Sequence, residues 1–195
     1  MVADLAGVVL GAWHSVARLV AAGQGRDFVG RDKETRVFRK VREEIERIAP
    51  NVQVAGPDLQ VRFGRWGIDL VCGVKGLRLA AEGKYKVRSD GAVPDNRKAV
   101  FFDLFKLEQY VDSGEYATGL FLWLTDEAAY RQQATGDSAD FSTHQGRIYE
   151  PGTALRAARS RNPMPLPLVL SRRYRFDWEA IDSTGCWYTL VLQVD

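Results

Sequence analysis

Three charged residues stand at a spacing that could support metal-dependent chemistry on a phosphate ester. Asp69 opens a predicted strand, and Glu82 lies on the next one, so a tight turn would bring the two carboxylates together. Carboxylate oxygens are the ligands that Mg²⁺ prefers. Lys84 falls two residues beyond Glu82, on the same face of its strand. A metal held there would bind a phosphate and acidify an attacking water, and the lysine could orient or deprotonate that water or stabilise phosphate charge.

Alternating apolar and polar residues predict the strands that must position this set. The pattern predicts an antiparallel pair from residues 59–63 and 68–74, joined by a turn with glycines. A second glycine turn leads into a third strand over residues 77–87. On that strand Glu82, Lys84 and Lys86 would share one side.

Helical periodicity flanks these strands. Apolar residues recur three and four apart over residues 3–22 and 33–48, and again over residues 99–113 after a loop rich in turn residues. Residues 119–125 form a continuous apolar run, which is typical of a central strand covered on both faces. The order strand, helix, strand predicts a right-handed crossover.

The chain beyond this region is harder to assign. Residues 126–163 are polar and favour no particular element, whereas residues 166–170 and 187–194 regain a strand pattern. The 195 residues suit one domain, spanning 1–195, with 46% apolar and 27% charged residues. Its parts would be a core at about 33–125, an N-terminal helix at 3–22 and a C-terminal extension at 126–195.

Cysteine usage indicates a cellular compartment, whereas the net charge does not identify a binding partner. A net charge of +2 neither supports nor excludes nucleic acid, so any binding surface must come from local clustering of Lys and Arg. Cys72 and Cys186 lack the spacing of a zinc site and read as buried reduced thiols in the cytoplasm. Asp4, His14 and Arg18 interrupt the apolar N-terminal stretch, which predicts neither a signal peptide nor a membrane span.

The segments GIDL and AAEGKYKV resemble the motif of the PD-(D/E)XK (restriction-endonuclease-like) nuclease superfamily, with Asp69 as its aspartate and Glu82-Gly83-Lys84 as its ExK. Ile68 stands where the motif has proline. The resemblance implies an α/β fold with an αβββαβ core, a mixed central sheet flanked by helices, an extra N-terminal helix and extra C-terminal strands. The helix FDLFKLEQYV followed by LFLWLTD resembles an uncharacterised bacterial branch.

That resemblance also implies an activity. The implied activity is that of an Mg²⁺-dependent nuclease, a hydrolase that acts as an endonuclease on DNA. Mn²⁺ would be able to replace Mg²⁺. Asp69, Glu82 and the backbone carbonyl of Gly83 would hold the metal, and Lys84 would assist the water. The partners would be DNA, without a membrane, in a homodimer or a larger defence or repair complex. RNA stays an alternative because the chemistry acts on a phosphate common to both polymers.

Further residues have a functional and an ordinary interpretation. DKETR resembles a helix-borne glutamate of several branches, which makes Glu34 an auxiliary metal ligand, although an acid in a first helical turn also suits the helix dipole. Arg36, Lys40 and Lys86 would contact the nucleic-acid backbone, as would Lys106, unless they are plain surface charges.

A second function class competes with the nuclease. Acidic and basic residues often alternate on solvated strand faces, although the apolar neighbours of Asp69 and the small residues around Glu82 favour a functional site. The modest net charge favours the alternative of a catalytically silent nuclease-fold module. Such a module would bind nucleic acid or act as a scaffold in a bacterial or phage complex.

Overall fold

A central sheet with helices on both faces organises the chain. The computed structural model describes residues 2–24, 28, 30, 32–57, 61–157 and 167–195. The helices are α1 (Val2–Leu19), α2 (Lys33–Ile48) and α3 (Val93–Asp112). The strands are β1 (Gln53–Ala55), β2 (Val61–Phe63), β3 (Trp66–Ile68), β4 (Leu70–Val74), β5 (Leu77–Lys86), β6 (Thr118–Thr125), β7 (Arg147–Tyr149), β8 (Ala154–Leu155), β9 (Leu168–Val169), β10 (Tyr174–Phe176), β11 (Glu179–Ala180) and β12 (Tyr188–Val194).

The sheet has six strands in the order β1, β4, β5, β6, β12, β11. Strands β5 and β6 pair in parallel, and helix α3 makes the crossover between them. The other neighbours in this sheet pair antiparallel. The expected mixed sheet flanked by helices is therefore present.

Two apolar layers hold the helices to the sheet. Helix α3 covers one face, together with the aromatic side chains of the C-terminal region. Helices α1 and α2 cover the other face, where Phe38, Val41 and Ile45 of α2 are buried at the three- and four-residue spacing of an amphipathic helix. Because both faces of β6 are covered, all its residues are buried, as its continuous apolar run predicts.

Helix α1 is a core helix of this domain. Trp13 is fully buried, donates from its indole nitrogen to Thr189 Oγ1 at 2.8 Å, and lies 6.0 Å from Phe38 between ring centroids. The stretch Leu5–Gly23 is long and apolar enough to cross a membrane by length and composition, and 44% of it is buried inside the domain. Packing against α2 and the sheet accounts for this apolar character.

The strand pairing around the acidic residues differs from the prediction. Residues 61–63 do not pair with residues 70–74; β2 pairs with β3 in a separate hairpin, and β1 takes the place beside β4. Residues 59 and 60 lie outside the described part of the chain. The alternating pattern identified strands but not their partners, because a strand of three residues such as β1 carries too little pattern to be recognised.

Helix α3 begins six residues before the predicted start at residue 99. Pro94 lies in its first turn, where proline costs no hydrogen bond and its fixed φ suits a helix. The proline therefore begins the helix instead of belonging to the preceding loop. Helix α2 has the predicted bounds, Lys33–Ile48.

The C-terminal region is tied to α3 by a buried carboxylate. Glu108 is fully buried and accepts hydrogen bonds from the backbone nitrogens of Ser171 and Arg172, each at 3.0 Å, and from the Tyr174 hydroxyl at 2.9 Å. The predicted strand at residues 166–170 is present as β9, with residue 166 outside the described residues, and the strand at 187–194 is present as β12.

The prediction of two buried thiols is half wrong. Cys72 is buried, which raises the pKa of its thiol to about 12, whereas Cys186 is exposed. Cys186 lies outside β12, in the loop where Asp182 organises the turn by accepting from two backbone nitrogens.

Gly83 lies where the Phe38 side chain of α2 packs tightly against β5. A Cβ atom added there would lie 2.3 Å from Phe38 Cζ and 2.6 Å from the Leu122 carbonyl oxygen. We expect Gly83→Ala to lower the free energy of unfolding by about 1–3 kcal/mol because the helix must move away from β5. Urea denaturation measures this change.

Gly67 provides the matched control for that substitution. A Cβ atom added there would meet nothing within 4 Å, so Gly67→Ala should leave stability within about 0.5 kcal/mol of the wild-type protein. Equal stabilities of the two alanine variants would contradict the close approach of α2.

Candidate functional site

The candidate site lies where β4 departs from β5. The two strands pair as far as Leu70 opposite Ala81, and the chain bends at Asp69. Strand β5 continues to Lys86, so its residues beyond Ala81 have β6 on one side and no β4 residue on the other. Backbone N–H groups of these residues would be left without a strand partner, which is costly when they are buried.

Two carboxylates replace the missing strand. Asp69 Oδ2 accepts a hydrogen bond from the backbone nitrogen of Gly83 at 3.0 Å, and Glu34 Oε2 accepts one from the backbone nitrogen of Tyr85 at 3.1 Å. Successive N–H groups on one edge of a strand are two residues apart, which explains this alternation. Both acids are thereby fixed beside β5.

Glu82 and Lys84 project from the face of β5 that α3 covers. Lys106 Nζ lies 2.9 Å from Glu82 Oε2 and 2.8 Å from Asp103 Oδ1, and Lys84 forms an ion pair with Asp103 Oδ2. The Tyr110 hydroxyl donates to Glu82 Oε1 at 3.1 Å. Carboxylates and ammonium groups therefore alternate in one buried network, and the Glu82 residue within it is only 2% exposed.

The three predicted catalytic residues, Asp69, Glu82 and Lys84, line one cleft of about 390 Å³. Its floor consists of Asp69, Glu82, Lys84, Asp103 and Lys106. A larger cleft of about 560 Å³ lies at the opposite end of β4 and β5, and none of the described residues around it is Asp or Glu. The smaller cleft is the better candidate because chemistry depends on the titratable groups, not on volume.

Burial and mutual repulsion perturb the acids. Burial raises the pKa of Asp69, and the charges of Asp103 and Glu34 raise it further against the opposing effect of Lys84. Burial also raises the pKa of Glu82 well above its ordinary value, helped by the charge of Asp69 and opposed by Lys106. A buried pair of like charges of this kind favours uptake of a cation or a proton.

The neighbouring groups hold their charges. Burial disfavours the ammonium form of Lys84, but the charges of Asp103, Glu34 and Asp69 outweigh it and raise the pKa of Lys84. Burial likewise opposes ionisation of Asp103, yet Lys84 and Lys106 lower the pKa of Asp103 below its ordinary value. Lys84 is therefore a protonated donor in this network.

Sequence reasoning missed the contribution of α3. Asp103, Lys106 and Tyr110 occupy positions three and four apart on one helical face, and all are buried. The interpretation of Lys106 as a surface charge is wrong, because its ammonium lies between two carboxylates. Charged residues at this spacing among apolar core positions were the signal that could have identified them.

The remaining predicted residues lie around the cleft instead of lining it. Glu34 accepts a hydrogen bond from the backbone nitrogen of Tyr85, and its carboxylate lies 3.4 Å from the ammonium of Lys86. Lys40 is exposed on α2 and paired with Glu43 at 2.7 Å, a contact that raises the pKa of Lys40, and Arg36 is an exposed residue of the same helix. Their contact with nucleic acid stays a prediction.

The donor set suits a divalent ion in part. Asp69 is partly buried, Glu82 is fully buried, and the charges of the two carboxylates repel each other. The carbonyl of Gly83, the residue directly after Glu82, accepts a weak hydrogen bond from Lys84 at 3.3 Å. Within the described ranges, no three His, Cys, Asp or Glu side chains are grouped closely enough to hold a metal. Two carboxylates, one carbonyl and water are a ligand set that Mg²⁺ accepts, since it usually retains several waters.

Comparisons with protein-family models, curated proteins and solved structures find no match for this chain.

Replacing Glu82 should reveal the penalty of its charge. Because the pKa of Glu82 is raised in the folded state, the folded protein binds more protons than the unfolded chain above the ordinary value of 4.5. Stability therefore falls as the pH rises through the folded-state pKa. We expect Glu82→Gln, without divalent ions, to have a higher free energy of unfolding than the wild-type protein at pH 8, because the variant buries no carboxylate charge at this position.

Urea denaturation between pH 4 and 8 in the presence of a chelator measures this difference. The stability advantage of Glu82→Gln should shrink towards pH 4, below the ordinary pKa of 4.5, where the wild-type carboxyl is mostly neutral in the folded and in the unfolded state. The Glu115→Gln variant at an exposed residue is the control, and its free energy of unfolding should follow that of the wild-type protein throughout. A pH-independent difference between Glu82→Gln and wild type would contradict the raised pKa.

Proposed function

We propose that this chain is a metal-dependent nuclease that hydrolyses phosphodiester bonds, with DNA as its substrate, in the cytoplasm. The observation that carries the proposal is that Asp69, Glu82 and Lys84 line one cleft at the point where β4 leaves β5. Splayed onto opposite sides of the sheet, the three groups would have no shared chemistry. Together they supply acidic oxygens and a protonated amine to one small volume.

The order of elements also supports a restriction-endonuclease-like core. Helix α2, strands β1, β4 and β5, crossover helix α3 and strand β6 follow the αβββαβ sequence, and the four strands are neighbours in that order. Helix α1 and strands β7–β12 would be additions to it. The β2–β3 hairpin would be an insertion within the meander.

In the proposed reaction the protein positions charge. Asp69 and Glu82, with the Gly83 carbonyl, would hold Mg²⁺, which when bound would neutralise phosphate charge and acidify a water. Lys84 is held by Asp103 beside these oxygens, so its ammonium would orient the water or stabilise charge on the phosphate. The raised pKa of Lys84 argues against its acting as a base. Tyr110 fixes the Glu82 carboxylate by hydrogen bonding.

One contact favours the second candidate function, a catalytically silent module that binds nucleic acid. The ammonium of Lys106 lies between Glu82 and Asp103 and already supplies the positive charge that a metal would bring. A network closed in this way would hold the fold together without turnover. The two candidates differ in whether a divalent ion can displace Lys106 from Glu82.

Cleavage assays test the nuclease directly. We expect the purified protein to cut DNA with Mg²⁺ or Mn²⁺, and Asp69→Asn and Lys84→Ala to lower the rate by about 100-fold or more, since each removes a metal ligand or a charge-stabilising donor. The substrates are duplex, single-stranded, branched and modified DNA, and RNA of the same sequence.

Asp177→Asn is the matched control for these assays. Asp177 is exposed and paired with Arg175 in the C-terminal region, so its substitution should leave cleavage unchanged. The nuclease proposal fails if wild type is inert on every substrate, or if it is no more active than Asp69→Asn and Lys84→Ala. Salt-sensitive nucleic-acid binding without cleavage and without an Mg²⁺ effect would then support the silent module.

Removal of the Lys106 ammonium tests the competition at Glu82. Lys106→Met leaves two buried carboxylates without their shared cation, which a divalent ion would then replace. We expect calorimetry with Mn²⁺ to give a Kd about tenfold lower than for the wild-type protein. The control is Lys98→Met, which removes a buried lysine paired with Asp137 outside the cleft. Unchanged Mn²⁺ affinity would show that Lys106 does not compete for the site.

A further inference from the structure

The β2–β3 hairpin forms one wall of the cleft, and it is not part of the six-stranded sheet. The described residues between Ala55 and Leu70 lie outside the six-stranded sheet, and within them β2 and β3 pair with each other. Aromatic contacts anchor it on α3: the ring of Phe63 lies 5.0 Å from that of Tyr110, and the ring of Trp66 lies 6.0 Å from that of Phe105. The hairpin is therefore a fixed element beside the acidic floor.

Its polar side faces the cleft with two arginines. Arg62 lies between the partly buried Val61 and Phe63, so its side chain is on the exposed face of β2. Arg65 lies in the turn, where its guanidinium is 5.7 Å from the centroid of the Trp66 ring. Both arginines line the cleft. One guanidinium group can donate two hydrogen bonds to two oxygens of a phosphate. Contact with an aromatic ring restricts the arginine side chain in advance, so less conformational entropy is lost on binding.

The floor alone would not attract a polyanion. It contains the carboxylates of Asp69, Glu82 and Asp103 against the ammonium groups of Lys84 and Lys106. The acids thus outnumber the bases in the absence of a divalent ion. Positive charge for a negatively charged substrate has to come from the walls, and the hairpin arginines supply it next to the floor.

Gly67 adds an independent observation. It is the residue opposite Arg62 in the hairpin and also lines the cleft. Its backbone does not have a positive φ, and a Cβ atom there would meet nothing within 4 Å. Neither backbone conformation nor packing requires glycine at this position. A missing side chain does leave room for another backbone to approach the wall beside Arg62.

We propose that the β2–β3 hairpin is a cradle for the phosphodiester backbone, in which Arg62 and Arg65 bind the phosphates that flank the bond at the acidic floor. The absence of a side chain at Gly67 leaves room for a nucleic-acid strand to pass between the hairpin and that floor. This inference rests on the proposed nuclease function. It names the ligand as a nucleic-acid backbone recognised by charge and shape, not by base sequence.

Fluorescence anisotropy of a labelled oligonucleotide tests the cradle, in single-stranded and duplex form and with Ca²⁺ in place of Mg²⁺. We expect the double variant Arg62→Ala/Arg65→Ala to bind about tenfold or more weakly than the wild-type protein. The slope of log affinity against log salt should fall by about two, since each phosphate contact contributes roughly one. Gly67→Glu should also weaken binding, whereas its stability in urea should match that of wild type.

The double variant Arg173→Ala/Arg175→Ala is the matched control. These arginines are exposed and paired with Glu150 and Asp177 in the C-terminal region, away from the cleft lining. Its affinity and salt slope should equal those of the wild-type protein. Wild-type affinity and salt slope in the Arg62/Arg65 variant would overturn the cradle, as would absence of binding by the wild-type protein.

Cleavage measured in parallel separates this inference from the proposed function. If wild type cuts DNA and Arg62→Ala/Arg65→Ala cuts it equally well at every salt concentration, the cradle is wrong and the nuclease stands. If no variant cuts but binding still depends on the two arginines, the nuclease proposal fails and the cradle remains as the binding surface of a silent module.

Discussion

The structure of the cleft depends on one break in hydrogen bonding. Strand β4 ends its pairing with β5 at Leu70, although β5 continues for five residues beyond Ala81. The orphaned edge needs acceptors, and the carboxylates of Asp69 and Glu34 provide them. The hydrogen bond to the strand edge holds each carboxylate in one orientation, so no further contact is needed to fix it. The same hydrogen bonds therefore satisfy the backbone of the sheet and set the position of the acidic groups. A fold with a buried charged site has to meet both requirements.

Charge balance is the second constraint, and α3 supplies it. Burial of Glu82 near Asp69 would be prohibitive without compensation, since isolated buried charges cost several kcal/mol each. Lys106 and Lys84 neutralise the carboxylates from either side of Asp103. Helix α3 is thus both the crossover that permits β5 and β6 to run parallel and the source of counter-charges. This double role explains why a helix rich in buried apolar residues also buries charged ones.

The sequence was informative where local pattern and tertiary environment agree. The bounds of α2, the burial of strand β6 and the shared cleft of Asp69, Glu82 and Lys84 followed from periodicity and from spacing along one hairpin. Partners distant in the chain did not follow. Asp103 and Lys106 reach the site only through the crossover, and β1 pairs with β4 across the excursion that builds β2 and β3. Periodicity identifies an inward-facing residue but not what it faces, so Lys106 was misread as exposed.

The buried carboxylate of Glu108 changes how the domain can be divided. It accepts hydrogen bonds from backbone nitrogens of Ser171 and Arg172, and β12 pairs with β6 from Gly119 to Thr125. Residues far beyond Lys86 are therefore structural parts of the sheet and helix that carry the cleft. Shortening the chain to the segment from α2 to β6 would uncover one edge of a fully buried strand, and unpaired backbone groups on such an edge recruit other chains. The smallest unit able to present this cleft is consequently larger than the segment that contains Asp69, Glu82 and Lys84.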